Sequence, residues 1–148
     1  YWRTNNILSR NISNEKSKNY YFLYFGVISA VFLIIHSIFL GIKFEYDLYK
    51  LFRRIVLLCF IIFEVVAQTL LVIYLYKIKD KISDIINKKI LTLKIILVGS
   101  LIIVAIGSIP YIATPGHTAF KHSLEWNFFI GILIFYLLTY LFWKKKPT

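Results

Sequence analysis

The sequence has almost nothing with which to cross-link itself: one cysteine, Cys59, in 148 residues. Cys59 sits inside an apolar run, cannot form an internal disulfide, and reads as a small hydrophobe. Methionine is absent altogether, and the opening Tyr1-Trp2-Arg3 matches neither a native start nor a signal-peptide n-region. That opening is read as the mark of a longer chain whose N-terminal part is missing, or of a processed precursor. Acidic residues are few, seven against 18 Lys and Arg, so the net charge is +11. No RNA- or DNA-binding motif accompanies this charge, which excludes nucleic acid as the expected partner. There is no HExxH, and neither a metal nor a cofactor is expected. There is also no internal repeat of the kind that marks many transporters.

What the sequence has is apolar length. It is 59% hydrophobic, against about 45–50% for a soluble domain, and its mean hydropathy is +0.70. Four runs are long enough to cross the hydrocarbon core, which takes roughly 20 apolar residues. They are Tyr20 to Ile42, Ile55 to Tyr76, Ile95 to about Ala113, and Trp126 to Trp143 with Glu125 at its entrance, the last helix running from about 123. Strands rarely exceed about 10 residues, so runs of this length are helices. The expected fold is an all-α, up-down-up-down bundle of four transmembrane helices in a single domain, residues 1–148.

The intervening pieces are short and polar. Residues 5–18 form a polar lead-in, and Lys43 to Arg54 a charged turn or interfacial segment. Lys77 to Lys89 carries Ile78, Ile82, Ile85 and Ile86 at helical spacing, suiting a surface amphipathic helix or an extension of the second span. Thr114-Pro115-Gly116 is a turn signal, and Pro110 is placed to kink or end the third span early. Gly99 and Gly107, with Ser100 and Ser108, recur along the third span as a small-residue face for close packing.

Lys and Arg in the loops set orientation. Arg3, Arg10, Lys16, Lys18, Lys77, Lys79, Lys81, Lys88, Lys89 and Lys144 to Lys146 fall on one side, and Lys43, Lys50, Arg53, Arg54 and Lys121 on the other. Twelve against five puts both termini in the cytoplasm.

Polar residues within membrane spans are costly and so informative. From a rise of about 1.5 Å per residue, His36 lies about 9 Å and Glu64 about 13 Å below the outer interface. Gln68 shares a helical face with Glu64. His122, Glu125, Trp126 and Asn127 open the fourth span near the same interface, with His117 just before them. Together they suggest a polar pocket on the non-cytoplasmic side, with His36, Glu64, Gln68, His122, Glu125, Trp126 and Asn127 as candidate ligand-binding residues. Three readings compete. Glu64 could hydrogen-bond His36, Gln68 or Asn127 to hold helices together; the pocket could receive a lipid headgroup; or His and Glu could support catalysis or zinc binding. Membrane lipids are the expected partners, with partner helices or a second copy of the chain.

Glu125-Trp126, followed by Asn127 to Trp143, resembles the last helix of the DRAM-like membrane family. Span one, with Gly26 early and His36 late, looks like that family's third helix. The family includes autophagy modulators and a GPI-anchor lipid-remodelling protein, and its members have six spans. The resemblance implies that the first two spans are absent here, and it implies a lipid-associated role.

Overall fold

The computed structural model describes residues 1–11, 21–41, 46–113, 116 and 118–144. Five helices follow in order: α1 (Trp2–Asn11), α2 (Tyr21–Leu40), α3 (Asp47–Ile78), α4 (Lys88–Ala113) and α5 (Thr118–Leu141). The fold is all-α. Four of the helices, α2 to α5, are long and apolar enough to cross a membrane, and the protein is an integral membrane protein. Chain contacts divide it into two compact units, Tyr1–Leu70 and Leu71–Thr148.

In the first unit, α2 buries only Phe22, Gly26 and Ser29, one narrow stripe at helical spacing. Its remaining surface is largely exposed, including Val27, Val31, Ile34 and Ile38. For a helix with no charged residue, that surface is made for lipid or for another helix. Against the stripe, α3 presents Val56, Phe60 and Glu64, all buried. Phe63 stacks on Phe25 and Phe32, with centroids 5.9 and 5.5 Å apart.

The helix α3 has 32 residues, about 48 Å at 1.5 Å per residue, well beyond a hydrocarbon core of about 30 Å. The surplus lies chiefly at its N-terminal end, where Asp47, Lys50, Arg53 and Arg54 precede the apolar run from Ile55. The charged segment expected as a turn is therefore, from Asp47 onward, the first two turns of α3. Lys43 lies outside the described residues, as do Lys16, Lys18, Tyr20, Lys145 and Lys146.

The second unit is closed at one end by the backbone. Beyond Ile78 the chain leaves the helix and makes successive turns to Ile85, so the expected surface helix over Lys77 to Lys89 does not form. Ile78, Ile82 and Ile86 are nevertheless fully buried. Their apolar spacing serves a folded-in loop because an isolated bridge, Ile86 to Trp143, fixes it from the other side. Asn87 N donates to Phe142 O at 2.9 Å, and Lys144 N donates to Ile85 O at 2.9 Å. Lys144 Nζ adds a bond to Ser83 O, 2.9 Å.

Pro110 does not end α4, which continues to Ala113. So near the C-terminus, its missing N–H costs only one bond of the last turns. Gly116 takes a left-handed φ of 93°, the conformation glycine tolerates best, while Thr114, Pro115 and His117 lie outside the described residues. The close glycine contact of the second unit is on α5 and not on α4. A Cβ on Gly131 would come within 2.7 Å of Leu101 Cδ2, whereas Gly99 and Gly107 have nothing within 4 Å.

Gly131→Ile should therefore lower stability by about 1–3 kcal/mol through overpacking, read as the midpoint of unfolding in SDS. Gly99→Ala should leave that midpoint unchanged; equal effects from both would refute the α5 contact.

Candidate functional site

The polar centre of the first unit is built around Glu64, which is 1% exposed. Its Oε1 accepts from Tyr1 Oη at 2.5 Å and from Gln68 Nε2 at 3.2 Å. Its Oε2 accepts from Ser29 Oγ at 2.7 Å. The Ser29 hydroxyl also lies 3.5 Å from Phe60 O, but it has one proton, and the shorter contact takes it. Three donors, one ahead of α1, one on α2 and one on α3, thus converge on one carboxyl.

Local sequence makes this possible. Gln68 follows Glu64 by one helical turn, so both side chains lie on one face. Ser29 sits on the buried stripe of α2, one turn after Gly26. A Cβ at Gly26 would strike the Tyr1 ring, so glycine leaves the passage by which the phenol reaches Glu64. The ring then rests against Phe22, centroid to centroid 6.3 Å. Gln68 is itself fully buried, and its Oε1 has no hydrogen-bond partner among the described residues.

His36 is half-buried on α2, between Phe32 and Phe39 on the face turned to α3. Its Nδ1 is buried and has no hydrogen-bond partner among the described residues. The remaining candidates belong to the second unit and make local contacts on α5. His122 Nδ1 lies 3.4 Å from Glu125 Oε2, with the His122 side chain 62% exposed. Asn127 Nδ2 donates to Ser123 O at 2.8 Å, a bond to its own helix. Trp126 is exposed and meets Phe129 edge-on at 6.3 Å. No cluster of three His, Cys, Asp or Glu able to hold a metal occurs among the described residues.

The second unit has a polar centre just before the apolar run from Ile95, one that the sequence reading did not single out. Lys94 is fully buried. Its Nζ donates to Thr139 Oγ1 at 2.9 Å, and Thr139 Oγ1 donates onward to Phe135 O at 2.8 Å. The Nζ also faces the Phe135 ring at 4.2 Å and the Phe142 ring at 5.3 Å, the geometry of a cation–π contact. The signal for it was the i, i+4 pair Phe135 and Thr139 with Phe142 close behind. For Ser29 the signal was its place on the Gly26–His36 face. Tyr1 offered none.

Ser29→Ala would leave Glu64 Oε2 without this donor and should cost about 1–3 kcal/mol, measured as the free energy of SDS unfolding. Ser37→Ala, on an exposed hydroxyl bonded to Leu33 O of its own helix, should stay within about 0.5 kcal/mol of the parent.

No family model, curated protein or solved structure matches the chain.

Proposed function

We propose that the protein is a non-enzymatic, lipid-associated component of its membrane, a structural or accessory protein with both termini in the cytoplasm. The observation that carries this reading is the burial of Glu64 with its hydrogen bonds turned inward. A carboxyl at general acid or base work must reach its substrate. Here both oxygens accept from Tyr1, Ser29 and Gln68 within the unit, and the group is buried from approach. Its chemistry is committed to fastening α1, α2 and α3. The broad apolar faces of α2, α4 and α5 are the surfaces on which such a protein meets lipid tails and partner helices.

The cytoplasmic orientation rests on the twelve-to-five division of Lys and Arg. The bridge between Ile86 and Trp143 agrees with it, since it holds the basic α3–α4 loop and Lys144 on one side. Membership of the DRAM-like family, on the strength of Glu125-Trp126 and of Gly26 with His36, belongs to the same proposal and agrees with a lipid-associated role.

Two measurements test it. In a Cys59→Ser background, Lys89→Cys should react with a membrane-impermeant maleimide only after right-side-out vesicles are opened, and Lys121→Cys before; the reverse pattern would invert the topology. Purified protein incubated in vesicles of extracted native lipid should leave every lipid mass unchanged. A new lipid species whose formation is abolished by Glu64→Gln would make the protein an enzyme.

A further inference from the structure

One end of the second unit gathers cations from three segments of chain. Lys77 lies in the last turn of α3, Lys79 and Lys81 follow in the turns, Lys88 and Lys89 open α4, and Lys144 comes just after α5. The backbone holds them together there, through Asn87 N to Phe142 O and Lys144 N to Ile85 O. Ile78, Ile82 and Ile86 are buried between them, so the loop cannot splay to separate its charges. Five of the six lysines are exposed. Lys79 is half-buried, its Nζ 4.1 Å from the centre of the Tyr76 ring.

Acid in the same segments is scarce. Residues 77–89 hold two carboxylates, Asp80 and Asp84. Asp80 lies 3.7 Å from Lys88, and Asp84 accepts from the Ser83 hydroxyl at 3.3 Å. Six cations against two carboxylates leave a surplus of positive charge at one place, whatever pairs form. Such a surplus repels itself. Nor does it serve α4, whose first turn has lysine and no acid, the reverse of what the helix dipole favours. Charge held where it costs stability calls for negative charge from outside the chain.

The level of the patch decides the form in which that charge arrives. Tyr76 precedes Lys77, Tyr140 lies one turn before Lys144, and both are exposed. Trp143 stands next to Lys144. Tyr and Trp at the ends of spans sit among lipid headgroups. The lysines therefore lie at the phosphates of the surrounding leaflet. A soluble acidic partner would have to approach through that layer, whereas an anionic lipid is already in it.

We propose that these lysines form a docking surface for anionic glycerophospholipid. The lipid phosphates supply the missing counter-charge, and the second unit gathers such lipids in preference to zwitterionic ones. The surface rests on the reading of the protein as lipid-associated, and it names the lipid class and the side chains that select it.

The test is electron spin resonance of the full chain in phosphatidylcholine vesicles carrying a trace of spin-labelled phosphatidylglycerol or spin-labelled phosphatidylcholine. The motionally restricted fraction should favour the anionic label about fivefold, the weight of one lysine at a charged membrane surface. Lys77→Gln, Lys81→Gln, Lys88→Gln and Lys89→Gln together should bring the preference close to one. Lys50→Gln, Arg54→Gln and Lys121→Gln together should leave it standing. No preference in the parent, or a preference unmoved by the fourfold substitution, would overturn the surface. Loss of the preference when phosphate replaces chloride at equal ionic strength would make the patch a site for soluble anions and overturn lipid docking. Should the fourfold variant insert wrongly, the parent decides, with its lysines reductively ¹³C-methylated, a change that keeps their charge. Phosphatidylglycerol must then move the methyl signals that Lys77→Gln and Lys89→Gln remove, and unmoved signals refute the contact. Appearance of a new lipid species would sink the non-enzymatic reading and leave the docking surface standing.

Discussion

A carboxyl group in the middle of an apolar helix cannot call on water, and the arrangement of the first unit follows from that one restriction. Within a membrane each polar group must be answered from inside the protein, because the hydrocarbon offers nothing in exchange. Glu64 is answered by a serine on α2, a glutamine on its own helix and a phenol ahead of α1. Those bonds decide which stripe of α2 faces α3, why that stripe is small at Gly26, and where the aromatic stack of Phe25, Phe32 and Phe63 falls. Apolar contact alone would not choose among these faces, since α2 is hydrophobic all round.

The second unit meets the same restriction with a basic side chain and a different solution. Lys94 has three N–H donors, and the structure gives it one hydroxyl and two aromatic faces. A ring face accepts a cation without a lone pair, so Phe135 and Phe142 serve both as packing and as counter-charge. Each unit is thus organised by one buried ionisable side chain, and in each the aromatic residues around it do more than fill space.

The all-α class and the four spans were legible in the sequence because length and hydropathy depend on composition within a segment. The limits of the helices were less so. Ile78, Ile82 and Ile86 carry a helical period, yet α3 ends at Ile78 and Ile82 and Ile86 belong to the turns and bridge beyond it, because the segment that fixes them, around Trp143, lies two helices downstream. Lys50, Arg53 and Arg54 suggested a loop, yet they ride on α3, since charge marks the membrane boundary and not the helix end. Glu64 and Gln68 stood out as costly residues in an apolar run. Their neighbours did not: serine in a span is commonplace, and Tyr1 and Lys94 lie outside the runs that hydropathy picks out. Which polar side chains meet is a matter of tertiary register, which no local pattern encodes.

The bridge between Ile86 and Trp143 also says something about the order in which the molecule can be completed. Ile85 and Asn87 leave the ribosome with a backbone carbonyl and an amide whose partners, Lys144 and Phe142, have yet to be made. Two more hydrophobic helices must enter the membrane before those partners arrive. During that interval the α3–α4 loop is a provisional structure, with Ile86 lacking its bridge to Trp143. The residues just after α5 therefore act as a latch on an event begun much earlier.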